Sequence, residues 1–128
     1  NAMIACDRII VPMVCEPFAL EGLAQLMQTV KKVKRSANKE LQLMGIVFTM
    51  LDKRLLASNE IMRDIKRTFP SDVIFKTEIP RNVRITEAQS HGEPIIFYDK
   101  NSKGADAYKR LAKEVLEKCR EMEKKNEQ

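Results

Sequence analysis

The order of apolar patterns predicts an α/β fold, a partial three-layer arrangement of about three parallel strands with flanking helices. Three observations carry it. Two nearly continuous apolar runs, Ile9 to Val14 and Leu43 to Leu51, read as strands covered on both faces. The stretch between them keeps helical spacing and is long enough for a crossover, so the three elements form a right-handed βαβ unit. A second helical pattern then separates the Leu43 to Leu51 run from a third short apolar run, Val73 to Thr77.

The first strand, Ile9-Ile10-Val11-Pro12-Met13-Val14, is rich in branched residues. Pro12 lacks an N–H and should lie at its end or on an edge. From Leu20 the apolar residues fall at Leu23, Leu26, Met27, Val30 and Val33, with Glu21 near the start and Lys31, Lys32, Lys34 and Arg35 near the end, where they complement the helix dipole. After the second strand, Ser58 is placed to cap a helix carrying Ile61, Met62, Ile65 and Phe69, stopped by Pro70. Beyond the third strand, Ile79-Pro80-Arg81-Asn82 signals a loop. Thr86-Glu87-Ala88-Gln89 has capping-box spacing for a short helix closed by Gly92, and Glu93-Pro94 marks a turn. The last helix starts near Ser102 or Gly104. Its expected stripe is Ala105, Tyr108, Leu111, Ala112, Val115, Leu116, Cys119 and Met122, with fraying over Lys124 to Gln128.

At 128 residues, 44% hydrophobic and 32% charged, the chain suits one domain or part of one. Lys and Arg total 23 against 18 Asp and Glu, a formal charge of +5 that attracts polyanions in a salt-dependent way without itself distinguishing nucleic-acid binders from other basic domains. Cys6, Cys15 and Cys119 are an odd set without C-x-x-C spacing, which argues against a zinc site, an iron-sulfur site or a disulfide framework and points to a reducing cytoplasm. No run approaches the roughly 18 apolar residues of a membrane span. Asn1-Ala2 reads as a tag remnant ahead of Met3, which leaves residues 3–128 for the domain.

A self-contained P-loop hydrolase needs a glycine-rich turn that aims backbone N–H groups at phosphates, followed by a lysine and a hydroxyl. Gly22, Gly45, Gly92 and Gly104 are scattered, and none precedes Lys-Ser or Lys-Thr. His91, the only histidine, has no nucleophile motif near it and fits a turn or capping role. The residues alone support no complete catalytic site.

Four segments read in order carry a resemblance: CDRIIVPMVCEPFALEGLAQLM, GIVFTMLDKR, IPRNVRITEAQSHGEPIIFYD and KGADAYKRLAKEV. Together they resemble the C-terminal half of the ParA/Soj chromosome- and plasmid-partitioning ATPases, of the deviant Walker A superfamily. The resemblance spans nearly the whole chain, and Ile79 to Arg84 followed by Glu87-Ala88 and Ser90-His91-Gly92 is its most specific part. The family's N-terminal half, with the Walker A lysine loop and the metal-binding and water-positioning aspartates, has no counterpart here.

The resemblance implies a P-loop NTPase-like fold and a parent protein that hydrolyses ATP with Mg²⁺ and forms a homodimer. It also implies binding of non-specific DNA and of a ParB-like centromere-binding partner, at the nucleoid in the cytoplasm and not at a membrane. The piece alone is expected to turn nothing over and to hold no cofactor tightly. Thr49, Met50 and Asp52 match the strand-end segment beside the adenine, Pro80, Arg81 and Asn82 match the loop on the base's other side, and Glu16 matches a segment near nucleotide and dimer partner. Arg54 and Arg84 match the family's DNA-contacting arginines. The chain departs from the family pattern at Pro17, where a second aromatic is usual, at Leu55-Leu56-Ala57-Ser58, and by one extra residue before Pro80. Ordinary turn chemistry is the competing reading for Pro80 and Asn82, and a local ion pair for the two arginines.

About three strands is short of the five or six of an average sheet, so a free strand edge should favour pairing with a second chain. Two other readings fit less of the chain. A stand-alone basic DNA-binding or regulatory module would use the charge without nucleotide. Another branch of the superfamily, a MinD-like cell-division regulator or a metal-cluster carrier, calls for an amphipathic apolar tail or paired cysteines, and EKCREMEKKNEQ supplies neither.

Overall fold

Strands β1 (Arg8–Val14) and β2 (Gln42–Thr49) lie side by side and parallel in the computed structural model, which describes residues 1–127 and side-chain surroundings as far as Lys125. A single helical turn, α1 (Ala2–Ala5), precedes β1. The strands are joined by α2 (Ala19–Ser36), the crossover that the apolar spacing predicts. Register shifts between Ile9 and Ile10: Ile9 pairs with Leu43 and Ile10 with Gly45, so β2 carries one extra residue, Met44, at that point. Pro12 sits inside β1, exposed, and pairs with Val47; it is tolerated because, among the described residues, β2 is the only strand beside β1 and the other edge of β1 is unpaired.

After β2 the chain forms α3 (Leu56–Thr68), a 3-10 turn at Ser71–Val73, α4 (Val83–Ser90), the single turn α5 (Ile95–Tyr98) and α6 (Lys103–Glu127). The expected third strand over Val73 to Thr77 is not a regular strand. The chain from Ile74 to Pro80 runs parallel to β2 and touches it at two bridges, Ile46 with Ile74 and Leu51 with Pro80. Phe75 N–H donates to Ile46 O at 2.8 Å and Ile79 N–H to Phe48 O at 2.8 Å. Between them the N–H groups of Lys76 and Thr77 turn to the Glu114 carboxylate, at 2.7 and 2.8 Å, which interrupts the ladder.

Alternation along β2 divides the core between its two faces. On one, Val11, Ile46 and Phe48 meet Leu23 of α2 and Ile65 of α3, all nearly or fully buried; each such side chain contributes about 1.5–3 kcal/mol. On the other, Met44 and Val47 meet Phe75, Ile79 and Ala107, with Leu111 and Val115 of α6 behind them. Gly45 belongs to this second face because a Cβ there would lie 2.7 Å from the Phe75 ring.

Two helix starts and one buried stripe differ from the expectations. The cap of α4 is Asn82, whose side chain accepts from Arg84 N–H at 2.9 Å, so Thr86 lies inside the helix. Gly92 closes α4 as expected: at φ 66° it lets Gly92 N–H reach Gln89 O and Glu93 N–H reach Ala88 O. Ser58 lies inside α3 and donates to Cys15 O at 3.2 Å, tying the helix to the end of β1. In α6 the stripe rotates toward Ala107, while Tyr108, Ala112 and Leu116 point outward. The helix continues through Glu127, and the part of the expected fraying that concerns Gln128 falls outside the described residues.

Candidate functional site

The carboxyl ends of β1, β2 and the Ile74–Pro80 segment meet at one edge of the molecule, where open α/β sheets bind ligands. Two residues there hold backbone that side chains rarely adopt. Phe18, just before α2, and Met50, just after β2, have φ 69° and 50°, and among the described residues they are the only non-glycines at positive φ. Each such conformation costs on the order of 1–3 kcal/mol and marks a segment shaped for something other than stability.

Two hollows open on this edge. The first, about 300 Å³, lies on the α3 side and is lined by Cys15, Glu16, Met50, Asp52, Leu55, Leu56 and Arg81 among others. It is mostly apolar at its base and sits at the small end of the range for ligand sites. Burial pushes the Cys15 thiol up, with Glu78 adding to the rise and Lys66 opposing it. Cys15, 6% exposed, is a packed wall residue here. The second hollow, about 540 Å³, lies on the α6 side, and its charged lining is Asp52, Lys53, Arg54, Lys76, Glu78, Arg81 and Arg110.

Asp52 and Arg81 belong to both hollows and form the ridge between them. Leu51 N–H donates to Ile79 O and Arg81 N–H to Leu51 O, each at 3.0 Å, so the loops after β2 and after Ile79 are locked together. Asp52 receives Arg54 as a fork, Nε on Oδ1 and Nη2 on Oδ2, both at 3.0 Å, and also takes Arg54 N–H at 3.1 Å. The Arg54 side-chain hydrogen bonds, then its backbone N–H, hold the Asp52 carboxyl down at about 2, and the same pairing raises the guanidinium.

Of the residues expected to face nucleotide, Glu16, Met50, Asp52 and Arg81 line the first hollow, and Pro80 joins Asp52 and Arg81 on the second. Thr49 ends β2 opposite Val14 and lines neither. Asn82 also lines neither, and its side chain is engaged as the cap of α4. Arg54 lines the second hollow. Arg84 stands apart on α4, with Nη1 at 3.0 Å from Glu87 and Nε at 3.4 Å from Asp99, while Tyr98 OH donates to the same Glu87 oxygen at 3.1 Å. His91 follows α4, stacked on Tyr98 with Nδ1 2.8 Å from Glu87 O.

Sequence reasoning missed Lys53, Lys76, Glu78 and Arg110 in the second hollow, and Glu114, which orients Lys76 from behind. Their only signal was charge on otherwise ordinary segments, and contact among them depends on how α6 lies on the sheet. The arrangement can hold a flat, partly apolar group in the first hollow and an anion at the second. Among the described residues no group of three or more His, Cys, Asp or Glu could hold a metal ion, and the glycines serve as a packing contact, a helix closure and helix positions, so the residues fit a base better than a phosphate chain or its Mg²⁺. No helix of the described residues is long and apolar enough to cross a membrane.

Comparison with known proteins agrees with this architecture. Residues 1–43 match a family model described as an AAA domain. The chain is 48% identical over 115 residues to the sporulation initiation inhibitor protein Soj of Bacillus subtilis, covering 90% of this chain and 45% of that protein. It is 44% identical over 125 residues to the chromosome partitioning protein ParA of Caulobacter vibrioides, covering 98% of this chain and 46% of that one. It thus spans less than half the length of these relatives. Among solved structures, cobyrinic acid a,c-diamide synthase of Mycobacterium smegmatis superposes with a TM-score of 0.68 at 28% identity, over 91% of this chain and 40% of that one, and has also been solved with an ATP analog and magnesium bound. The chain has a P-loop NTPase-like fold and belongs by sequence to the ParA/Soj family of chromosome-partitioning proteins, corresponding to the C-terminal portion of its members.

Proposed function

We propose that this chain is the adenine-side, dimer-side and DNA-side portion of a partitioning ATPase. The observation that carries the proposal is the 44–48% identity to named partitioning proteins over nearly the whole chain, joined to the hollow at the strand ends. In this reading the first hollow takes the base: Met50 flanks it, Asp52 and Arg81 form its polar rim, Pro80 holds the Arg81 loop from the side of the second hollow, and Glu16 lies toward the partner subunit. ATP with Mg²⁺ supplies the phosphoryl chemistry when bound, and by the family resemblance the phosphate-binding loop belongs to the parent's N-terminal portion. Thr49 and Asn82 act indirectly, one as the last rung of β2 and the other by capping α4.

Exposed Met50, Leu55 and Leu56 line the same hollow, and exposed Phe18 follows its lining residue Pro17 in the chain. Such an apolar rim supports a surface covered by a second subunit. The parent then dimerises, holds non-specific DNA through Arg54 and Arg84, and responds to a ParB-like centromere-binding protein. Both guanidinium groups are exposed and begin in local ion pairs, Arg54 with Asp52 and Arg84 with Glu87 and Asp99, so a phosphate binds by sharing or displacing these carboxylates. The test is ATP-dependent binding of a duplex of arbitrary sequence by the full-length protein. Replacing both Arg54 and Arg84 with Ala should weaken binding about tenfold or more and flatten its salt dependence; unchanged binding removes them from the interface.

A further inference from the structure

We infer that Lys76 and Arg110 are further phosphate-backbone contacts, and that the second hollow is the centre of the nucleic-acid surface. The inference rests on the partitioning reading and adds residues to its DNA-binding site.

The argument starts from which charges around the hollow are already matched. Asp52 is matched by the Arg54 fork. Glu78 is matched twice, by Lys53 at 3.2 Å and by Lys66 at 3.6 Å. Those pairs account for both carboxylates of the lining, and Lys76, Arg81 and Arg110 are left to set its sign. Among the described residues neither Lys76 nor Arg81 has a carboxylate within 4.0 Å, and Arg110 has only the loose, solvent-exposed Asp106 at 3.7 Å. Such a pair holds its arginine weakly.

The three surplus cations come from three separate elements: the Ile74–Pro80 segment, the loop after it, and α6. Lys76 is the best fixed of them, because its backbone N–H is held by Glu114 at 2.7 Å while its side chain stays in solvent. Arg54 joins the same mouth with the Nε edge of its fork occupied and Nη1 free. On the far side of Lys76 the surface changes sign, with Asp72, Glu114, Glu117 and Glu121 around one further lysine, Lys118. That acidic border stops the cationic surface on one side and directs a bound polyanion across the mouth.

No buried donor lines this open hollow, so a single free phosphate would gain little there. A backbone that presents phosphates in series engages Arg54, Lys76 and Arg110 together and releases counterions at each. The ligand is therefore a nucleic-acid backbone, read through its charge and without base contacts.

The experiment is fluorescence anisotropy of a labelled duplex of arbitrary sequence with the full-length protein, ATP and Mg²⁺, across a salt series. Lys76→Ala with Arg110→Ala should lose roughly tenfold or more in affinity and make the salt slope shallower by about two per protomer. Lys76→Arg with Arg110→Lys should retain binding. Lys31→Ala with Lys32→Ala, which removes the same charge from α2, should lose less than about twofold. Equal losses in the α2 control and the mouth variant overturn the inference, as does an unchanged mouth variant in a protein that otherwise binds DNA. If the unaltered protein binds no duplex at all, the partitioning reading fails and this inference falls with it. Excess inorganic phosphate should displace the duplex no better than chloride at the same ionic strength, and selective displacement would reassign the hollow to free phosphate.

Discussion

On the α2 and α3 side of β2 the layer closes almost wholly with apolar side chains: Leu23, Ile46, Phe48 and Ile65 are fully buried, and the one charged group over them is Lys66, with Nζ 5.9 Å from the centre of the Phe48 ring. On the α6 side the apolar contact is thinner and two charged residues complete it. Glu114 accepts from Lys76 and Thr77 N–H, while Lys118 donates to Met44 O at 3.3 Å and Asp72 O at 2.9 Å and lies 4.3 Å above the Phe75 ring. The difference follows from what each face must satisfy. Between β1 and β2 the facing backbone groups pair in a continuous ladder, whereas the Ile74–Pro80 segment departs from its ladder with β2 and the N–H groups of Lys76 and Thr77 need other acceptors. The candidate site is attached to this second face, because the segment that α6 holds leads directly into Pro80 and Arg81.

Breaking the α6 face should therefore cost stability and site shape together. The largest expected effect is Phe75→Ala, which empties a position 1% exposed and removes the ring beneath Lys118. A loss of about 3–5 kcal/mol is expected from denaturant titration, with amides of α6 and residues 74–81 exchanging before those of α2. Uniform loss of protection would show that the two faces unfold as one unit.

A smaller effect is expected from Glu114→Ala, about 1–3 kcal/mol, because two backbone donors lose a charged acceptor. Its signature is local: the amides of Lys76 and Thr77 should exchange faster while β1 and α2 stay protected. Protection of those two amides at the unaltered level would mean that water replaces the carboxylate without penalty.

The smallest effect is acid sensitivity confined to the same side. Burial alone would raise Glu114, but hydrogen bonds from Thr77 and Lys76 outweigh it and hold the carboxyl below its ordinary 4.5, and Asp52 lies at about 2 instead of 3.8. Both values are depressed on folding, so the stability they contribute is present above the ordinary values and lost as pH falls through the folded ones. The denaturation midpoint should begin to drop below 4.5 and continue dropping toward about 2, led by α6 and residues 74–81. A midpoint that stays flat over this window would remove both carboxylates from the account of the α6 face.

How much of this was legible beforehand differs by residue. Ile9 to Val14 and Leu43 to Leu51 announced strands because a run of branched residues needs cover on both sides, and α2 and α3 followed from spacing that any amphipathic helix must keep. The third strand was misread because the Val73 to Thr77 run records burial, which Ile74 and Phe75 do have, without recording that Glu114 takes the next two N–H groups. Asn82 was expected to face nucleotide and caps α4, a local role its Asn-x-Arg context permits equally well. Arg54 and Arg84 matched the same family property, yet one lines the cationic hollow and the other is held by Glu87 and Asp99 on a separate helix.

By itself, the sequence determined the α/β class, the βαβ unit, the loop segments of the candidate site and the family, because periodicity and short motifs are local along the chain. Only the tertiary structure decided that Asp52 and Arg81 divide two hollows, that Glu78 is already matched by two lysines, and that Lys76 and Arg110 share a mouth. Those facts depend on how α6 lies across β2, and that is set by the shape of the packed faces around Gly45, Phe75 and Ala107, which no spacing in the chain encodes.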